Sequence, residues 1–171
     1  MKPVVRSGTM GLAVLFALAL LSVGDAESAP PSTETLTIYE DAPQMSQLDL
    51  GEKGNSPGDA YHFFASLRAR PGGPVTGEVF GSKTLIKLTK DSKADAEKRG
   101  TVLFFTFGND QDQIVVFGIS DYSASAGEFA ADKPVVRPIL GGTGKYIGAR
   151  GQLTSTRNSD GTYKQVFTLL K

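Results

Sequence analysis

The sequence predicts an all-β chain that closes into a small antiparallel barrel of about eight strands. Three observations predict it: short runs in which apolar and polar residues alternate with period two, glycine- and proline-rich turn signals between them, and no convincing amphipathic helix. At 171 residues the chain has room for one domain with a core of useful size.

Residues 1–24 stand apart from that core. Lys2 and Arg6 form a positive start, Gly11 to Leu21 reads GLAVLFALALL, and Ser22-Val23-Gly24 or Gly24-Asp25-Ala26 offers small residues for cleavage, the layout of a secretory signal peptide. A retained anchor is the alternative, but the apolar run falls well short of the ~20 residues a spanning helix requires. No cysteine is present to carry a lipid. The expected location is therefore secreted or extracellular, periplasmic in a bacterium, with no membrane contact after cleavage. Loss of this segment leaves 16 Lys+Arg against 18 Asp+Glu, since it carries two basic residues and no acid. That balance gives no electrostatic case for nucleic acid or an anionic membrane. The lack of cysteine excludes thiol catalysis and thiolate metal sites, and it leaves burial alone to stabilise an exported fold.

Residues 25–34, DAESAPPSTE, read as a flexible lead-in, and the barrel domain is expected over 35–171. In TLTIYE, Leu36 and Ile38 share one face, so this is the first strand. Asp41 to Asp59 carries turn residues at high density and reads as a long loop. Asp59 to Arg70 opposes Tyr61, Phe63, Ala65 and Leu67 to His62, Phe64, Ser66 and Arg68, a strand ended by the PGGP turn. Val75 to Phe80 and Thr84 to Thr89 look like a hairpin around Gly81-Ser82-Lys83. The run KDSKADAEKRG at 90–100 is dense in charge with almost nothing to bury, and reads as a solvated loop. Thr101–Phe107 and Gln113–Ile119 form the next hairpin and are apolar on both faces, so a cover over their outer face is expected, such as another subunit. Residues 120–133 read as a third long loop. Pro134 to Ser155 forms a strand pair around the glycines 141, 142, 144, 148 and 151, and Thr162–Leu170 closes the chain. Nothing after these glycines looks like the helix a phosphate loop needs, so the corner reads as architecture and not as a nucleotide site.

Candidate chemistry is sparse. The single histidine, His62, makes a multi-histidine metal site impossible and has no evident catalytic partner. Asp110 and Asp112 could hold a cation through carboxylates alone, but hairpin acids are more often solvated, and no metal or other cofactor is expected. Acid–base work in a pocket remains. Glu40 and Asp41 end the first strand beside Tyr39, and Asp121 ends a later one beside Tyr122. A carboxyl group kept from water by aromatic neighbours has its pKa raised toward neutrality and can donate a proton. Lys133, Arg137 and Arg150 are candidates to hold an anionic oxygen. For each acid the plainer reading is a strand-end charge facing water.

The segment GGTGKYIGARGQL, together with TIYED, NSPGD, LFFTFGNDQDQIVVFG and YKQVFTLL in the same order, resembles the plant dirigent proteins and allene oxide cyclases, two related families built on one small β-barrel. The resemblance spans about residues 35 to 171. It implies a barrel entered from one end, association as trimers, and two kinds of chemistry. Allene oxide cyclases close a ring in a lipid-derived epoxide; their glutamate matches Glu40, but their asparagine stands here as Ala42 and their pocket cysteine has no counterpart. Dirigent proteins hold phenoxy radicals or a quinone methide made by an external oxidase, and their acids protonate the quinone-methide oxygen. Their first acid matches Glu40 or Asp41, and their second matches Asp121 after Phe117-Gly118-Ile119-Ser120. At the place of their arginine stands Val135, with Lys133 and Arg137 on either side. The leading expectation is thus a barrel that binds a hydrophobic or phenolic small molecule and steers radical coupling or cyclisation without an oxidase of its own. The alternatives are an isomerase acting on a lipid-derived epoxide and a non-catalytic barrel with a filled interior.

Overall fold

The structure is a computed structural model that describes residues 32–91, 94–123 and 127–171, without the side chains of 89–91 and 94–96. The signal-peptide segment and residues 25–31 of the lead-in lie outside the described residues. Nine strands run in chain order: β1 (Thr33–Glu40), β2 (Gln44–Leu48), β3 (Ala60–Arg68), β4 (Val75–Asp91), β5 (Ala94–Phe107), β6 (Asn109–Ser123), β7 (Val135–Gly142), β8 (Gly151–Arg157) and β9 (Tyr163–Leu170). They pair antiparallel in the order β1-β9-β8-β7-β6-β5-β4-β3-β2. Tyr39 and Glu40 of β1 also pair with Arg68 and Leu67 of β3, which closes eight strands into a barrel and leaves β2 as an extra strand on β3. Closure removes the exposed edges that an open sheet of this size would present.

The inward rows follow the period-two pattern. From β5 come Glu97, Arg99, Thr101, Leu103, Phe105 and Phe107; from β6, Ile114, Val116, Ser120 and Tyr122; from β9, Tyr163, Gln165 and Phe167, all buried. One end of the lumen is a solid apolar core in which Phe105 and Phe167 meet edge to face at 5.0 Å. The glycine corner closes that end. Its 3-10 turn, Gly144–Tyr146, lays the Tyr146 ring 4.8 Å from Phe107. Gly144 needs to be glycine: its φ is +57°, and a Cβ there would fall 2.1 Å from Asp112 Oδ1.

Four sequence expectations are corrected. Gly81-Ser82-Lys83 is no turn, because β4 runs through it as one strand of 17 residues. Inside the barrel, Gly81 makes room for the Phe63 ring, whose Cζ a Cβ would meet at 2.2 Å. The charged run 90–100 is not a solvated loop; it extends the β4–β5 hairpin, and Glu97 and Arg99 are fully buried. The long loop 41–59 contains β2, whose residues are all exposed and so carry no alternating signal. Residues 120–123 continue β6, and Glu128 and Phe129 beyond it are buried.

The outer face of β3 to β6 keeps the apolar character read from the sequence. Phe64 pairs with Phe80 and Phe80 with Phe104, and with Phe117 these rings are 42–45 % exposed in the single chain.

Candidate functional site

At the other end of the lumen the inward residues turn polar, and seven charged side chains are buried: Glu40, Asp59, Glu97 and Glu128 against Lys83, Arg99 and Arg137. Strand geometry places most of them. Glu40 is the last residue of β1 and follows Ile38 on the inner face. Arg137 comes from β7 and fits because the facing inner position on β6 is Gly118, where a Cβ would lie 3.0 Å from Arg137 Cγ. Glu128 and Phe129 belong to no strand and fill the lumen from the connection between β6 and β7.

The hydrogen bonds knit these groups together. Gln165 Nε2 donates to Glu40 Oε2 at 2.6 Å, and Ser155 Oγ donates to Gln165 Oε1 at 2.6 Å. Lys83 Nζ donates to Glu128 Oε1 at 3.0 Å. The other Glu128 oxygen accepts from the Tyr163 hydroxyl and lies 3.7 Å from Arg157 Nε. Arg137 Nη2 donates to the Tyr122 hydroxyl at 2.8 Å, and that hydroxyl is 2.8 Å from Thr101 Oγ1. Further along β5, Arg99 Nε donates to Glu97 Oε2 at 2.7 Å, Asn55 donates to the other Glu97 oxygen, and the Arg99 guanidinium lies 4.7 Å from the Tyr61 ring centre.

Burial sets the protonation chemistry. Removal from water pushes the Glu40 carboxyl up to about 7, with the negative charge of Glu128 adding to the rise and the Gln165 hydrogen bond, Lys83 and Arg137 opposing it. Burial also drives the Lys83 ammonium below its ordinary value; Arg99 and Arg137 push the same way, and Glu128 opposes them. A carboxyl group that titrates near neutrality inside a barrel can both give and take a proton.

Of the residues read from the sequence, the lumen brings together Glu40, Tyr122 and Arg137. It does not include the others. Asp41 faces outward in a two-point pair with Arg68, at 2.8 and 2.7 Å, and this hydrogen bonding holds its carboxyl below the usual range. Asp121 also faces outward, with its side chain 66 % exposed and 2.8 Å from Lys98 Nζ. Tyr39 alternates with the inward Ile38 and Glu40 and so faces out. Lys133 is exposed, and Arg150 is exposed at the end closed by the glycine corner. Sequence reasoning missed Lys83, Glu97, Arg99, Glu128, Tyr163 and Gln165. The available signal was phase: Glu97 and Arg99 continue the inward alternation of Thr101, Leu103 and Phe105 backwards, and Gln165 lies midway between Tyr163 and Phe167.

The chamber left among these groups is about 30 Å3, lined by Glu40, Phe63, Lys83, Phe129, Arg137 and Gln165 among others. That is room for about two waters. Beside it lies an outer cleft of about 580 Å3, lined by Ile119, Asp121, Lys133 and Val136. Among the described residues β6 and β7 pair only from Ile114 to Val116, with a register shift, and the cleft sits where they part. Tyr122 and Phe129 line both spaces, so they form the partition between them.

No family model and no curated protein matches the sequence. Solved structures do. The pterocarpan synthase dirigent protein PsPTS1 superposes with a TM-score of 0.55 at 16% identity, over 81% of this chain and 95% of its own. The fold is that of the dirigent barrels. A protein described as pyocyanin demethylase matches with a TM-score of 0.59 at 23% identity, over 81% of this chain and 99% of that one. The Diels–Alderase AbmU from Streptomyces koyangensis matches with a TM-score of 0.59 at 15% identity, over 84% of this chain and 70% of that one. One architecture thus serves this chain, a dirigent protein and a cycloaddition barrel.

Proposed function

We propose that this is a secreted dirigent-like barrel that takes up a hydrophobic or phenolic small molecule and steers its coupling or cyclisation, an external oxidase supplying any oxidation. The observation that carries the reading is Glu40, a carboxyl group buried inside the lumen, where removal from water pushes its pKa up to about 7. It is bracketed by Gln165, which fixes its orientation, and by tyrosines and cations able to hold a phenolic oxygen. On a quinone methide, Glu40 donates its proton to the ring oxygen while a hydroxyl of the same molecule attacks the methide carbon. The new C–O bond forms, the ring regains its phenol, and the proton of the attacking hydroxyl returns to the carboxylate. Asp121, the second acid expected from the sequence, faces outward beside Lys98 and takes no part in this step. The structures named a dirigent protein and a Diels–Alderase support the proposal at the level of a barrel able to control ring closure. The same reading includes assembly into a homo-oligomer, a trimer by the sequence resemblance, through the exposed band of Phe64, Phe80, Phe104 and Phe117. Sedimentation of the wild type against Phe104→Lys tests that part, with loss of the larger species as the expected result.

A second reading is favoured by one observation. With only about 30 Å3 unfilled among the lumen side chains, the barrel could serve as a non-catalytic structural or binding module. Enantiomeric excess separates the two. Coniferyl alcohol and an external one-electron oxidant are supplied with and without protein. Biased product with the wild type, lost in Glu40→Gln and kept in Asp121→Ala, supports steering; racemic product throughout rejects it for that substrate.

A further inference from the structure

We infer that Glu128 and Phe129 occupy the lumen as a built-in stand-in for the ligand, and that this ligand is an aromatic molecule carrying a carboxylate or similar anion. The inference rests on the ligand-binding reading above and narrows its substrate class. Both residues lie outside any strand, yet they are only 8 % and 7 % exposed. The Glu128 carboxylate is received by Lys83 at 3.0 Å, by the Tyr163 hydroxyl and, at 3.7 Å, by Arg157 Nε. The Phe129 ring is held edge to face by Tyr163 at 5.3 Å and Tyr122 at 6.0 Å, with the Arg137 guanidinium 5.8 Å from its centre. An anion and an aromatic ring, side by side, are therefore already bound by the barrel wall.

Charge counting says what could replace them. Lys83 is matched by Glu128 at 3.0 Å, whereas Arg99 is matched by Glu97 and also feels the fully buried Asp59. Withdrawing Glu128 leaves the buried Lys83 without its ion-pair partner, and a buried unpaired cation is costly. A neutral phenol would leave that imbalance in place; an aromatic carboxylate would cancel it and refill the ring position. The route is also present. Phe129 separates the inner chamber from the outer cleft of about 580 Å3, so displacing its side chain joins the two. Left-handed backbone brackets the segment at Gly127, φ +59°, and at Asp132, a non-glycine residue with φ +60°.

Calorimetric titration of ferulate and coniferyl alcohol, which share a ring and differ in the acid, tests this on the full barrel and three variants. Phe129→Ala is expected to bind ferulate at least tenfold more tightly than the wild type and at least tenfold more tightly than it binds coniferyl alcohol. Adding Lys83→Met to Phe129→Ala is expected to abolish that preference. Glu128→Gln keeps the size of the plug while removing its charge, and is expected to tighten ferulate binding severalfold even if Phe129→Ala does not fold. Equal binding of the two probes by Phe129→Ala would overturn the anion assignment while leaving phenolic binding standing. Ferulate binding unchanged from wild type in a folded Glu128→Gln would overturn the stand-in. No binding of either probe to any folded variant would remove the ligand-binding reading, and this inference with it.

Discussion

The two ends of the lumen solve the same packing problem with opposite chemistry. Toward the glycine corner, Leu67, Phe105, Phe107, Ile114, Val116 and Phe167 fill the barrel as an ordinary core. Toward Glu40 the same strands, in the same inward phase, present Lys83, Glu97, Arg99, Gln165 and Arg137. Burying charge gives little net stability even when every partner is present. The apolar end is therefore where the fold gets its stability, and the polar end is where a fold that needed only stability would have used leucines. That difference is the physical argument for a site at the polar end, and it can be attacked at either end.

The largest effect is expected where the barrel is driest. Phe167 is fully buried against Phe105 and Phe107, with ring centres at 5.0 and 6.0 Å. Phe167→Ala should cost about 4 kcal/mol of unfolding free energy in urea, from lost transfer energy and the cavity left behind. A loss under ~1 kcal/mol would mean that this end is not the stabilising core.

At the polar end, removing one partner should hurt and removing both should not. Glu97→Leu strands the Arg99 guanidinium in the lumen and is expected to destabilise by about 3 kcal/mol. The double variant Glu97→Leu/Arg99→Met should recover most of that loss, because it replaces a buried ion pair by apolar side chains of similar volume. If the double variant is no better than the single, the pair contributes net stability and the contrast between the two ends weakens.

How much of this was legible in the sequence follows the same divide. Thr101–Phe107 and Gln113–Ile119 are identifiable as strands because hydropathy and phase agree there, and the glycine corner because Gly144 and its neighbours permit backbone that other residues do not. Glu40 was reachable as an acid that ends a clear strand, but only together with Asp41; the inward phase it shares with Ile38 is what separates the two. Lys83, Glu97 and Arg99 were not reachable, because local hydropathy marks a charged residue as solvated, and only closure of the barrel shows that the inward phase extends through them. Glu128 carries no periodic signal at all; its burial is a property of the connection between β6 and β7 and of Lys83 across the lumen.

A smaller, pH-dependent effect belongs to Glu40. Its pKa rises from 4.5 to about 7 in the fold, so the native state keeps the proton over a range in which the unfolded chain has released it. The stability contributed by this group is present in full below 4.5 and is lost as pH rises through about 7. A separation of that size corresponds to about 3 kcal/mol between the two limits. Glu40→Gln should therefore flatten the fall, matching the wild type near pH 4 and exceeding it by about 3 kcal/mol at pH 8. Parallel pH profiles of melting temperature for the two proteins would show that Glu40 is not the group responsible.

The smallest effect separates inside from outside on neighbouring strands. Asp121 is two residues beyond Ile119 on β6 and one before the buried Tyr122, so its phase points outward. There it meets Lys98 at 2.8 Å, with the two side chains 66 % and 46 % exposed. Water screens such a pair and side-chain entropy opposes holding it, so Asp121→Ala should change stability by less than about 0.5 kcal/mol. Salt should erase even that, whereas the buried Glu97–Arg99 pair should respond far less to ionic strength. A large loss in Asp121→Ala would place Asp121 in a structural role that its exposed pairing with Lys98 does not explain. A small loss of stability combined with a loss of product bias would instead locate the chemistry in the outer cleft, where Asp121 forms part of the wall, and would move the site from the chamber behind Phe129 to the space in front of it.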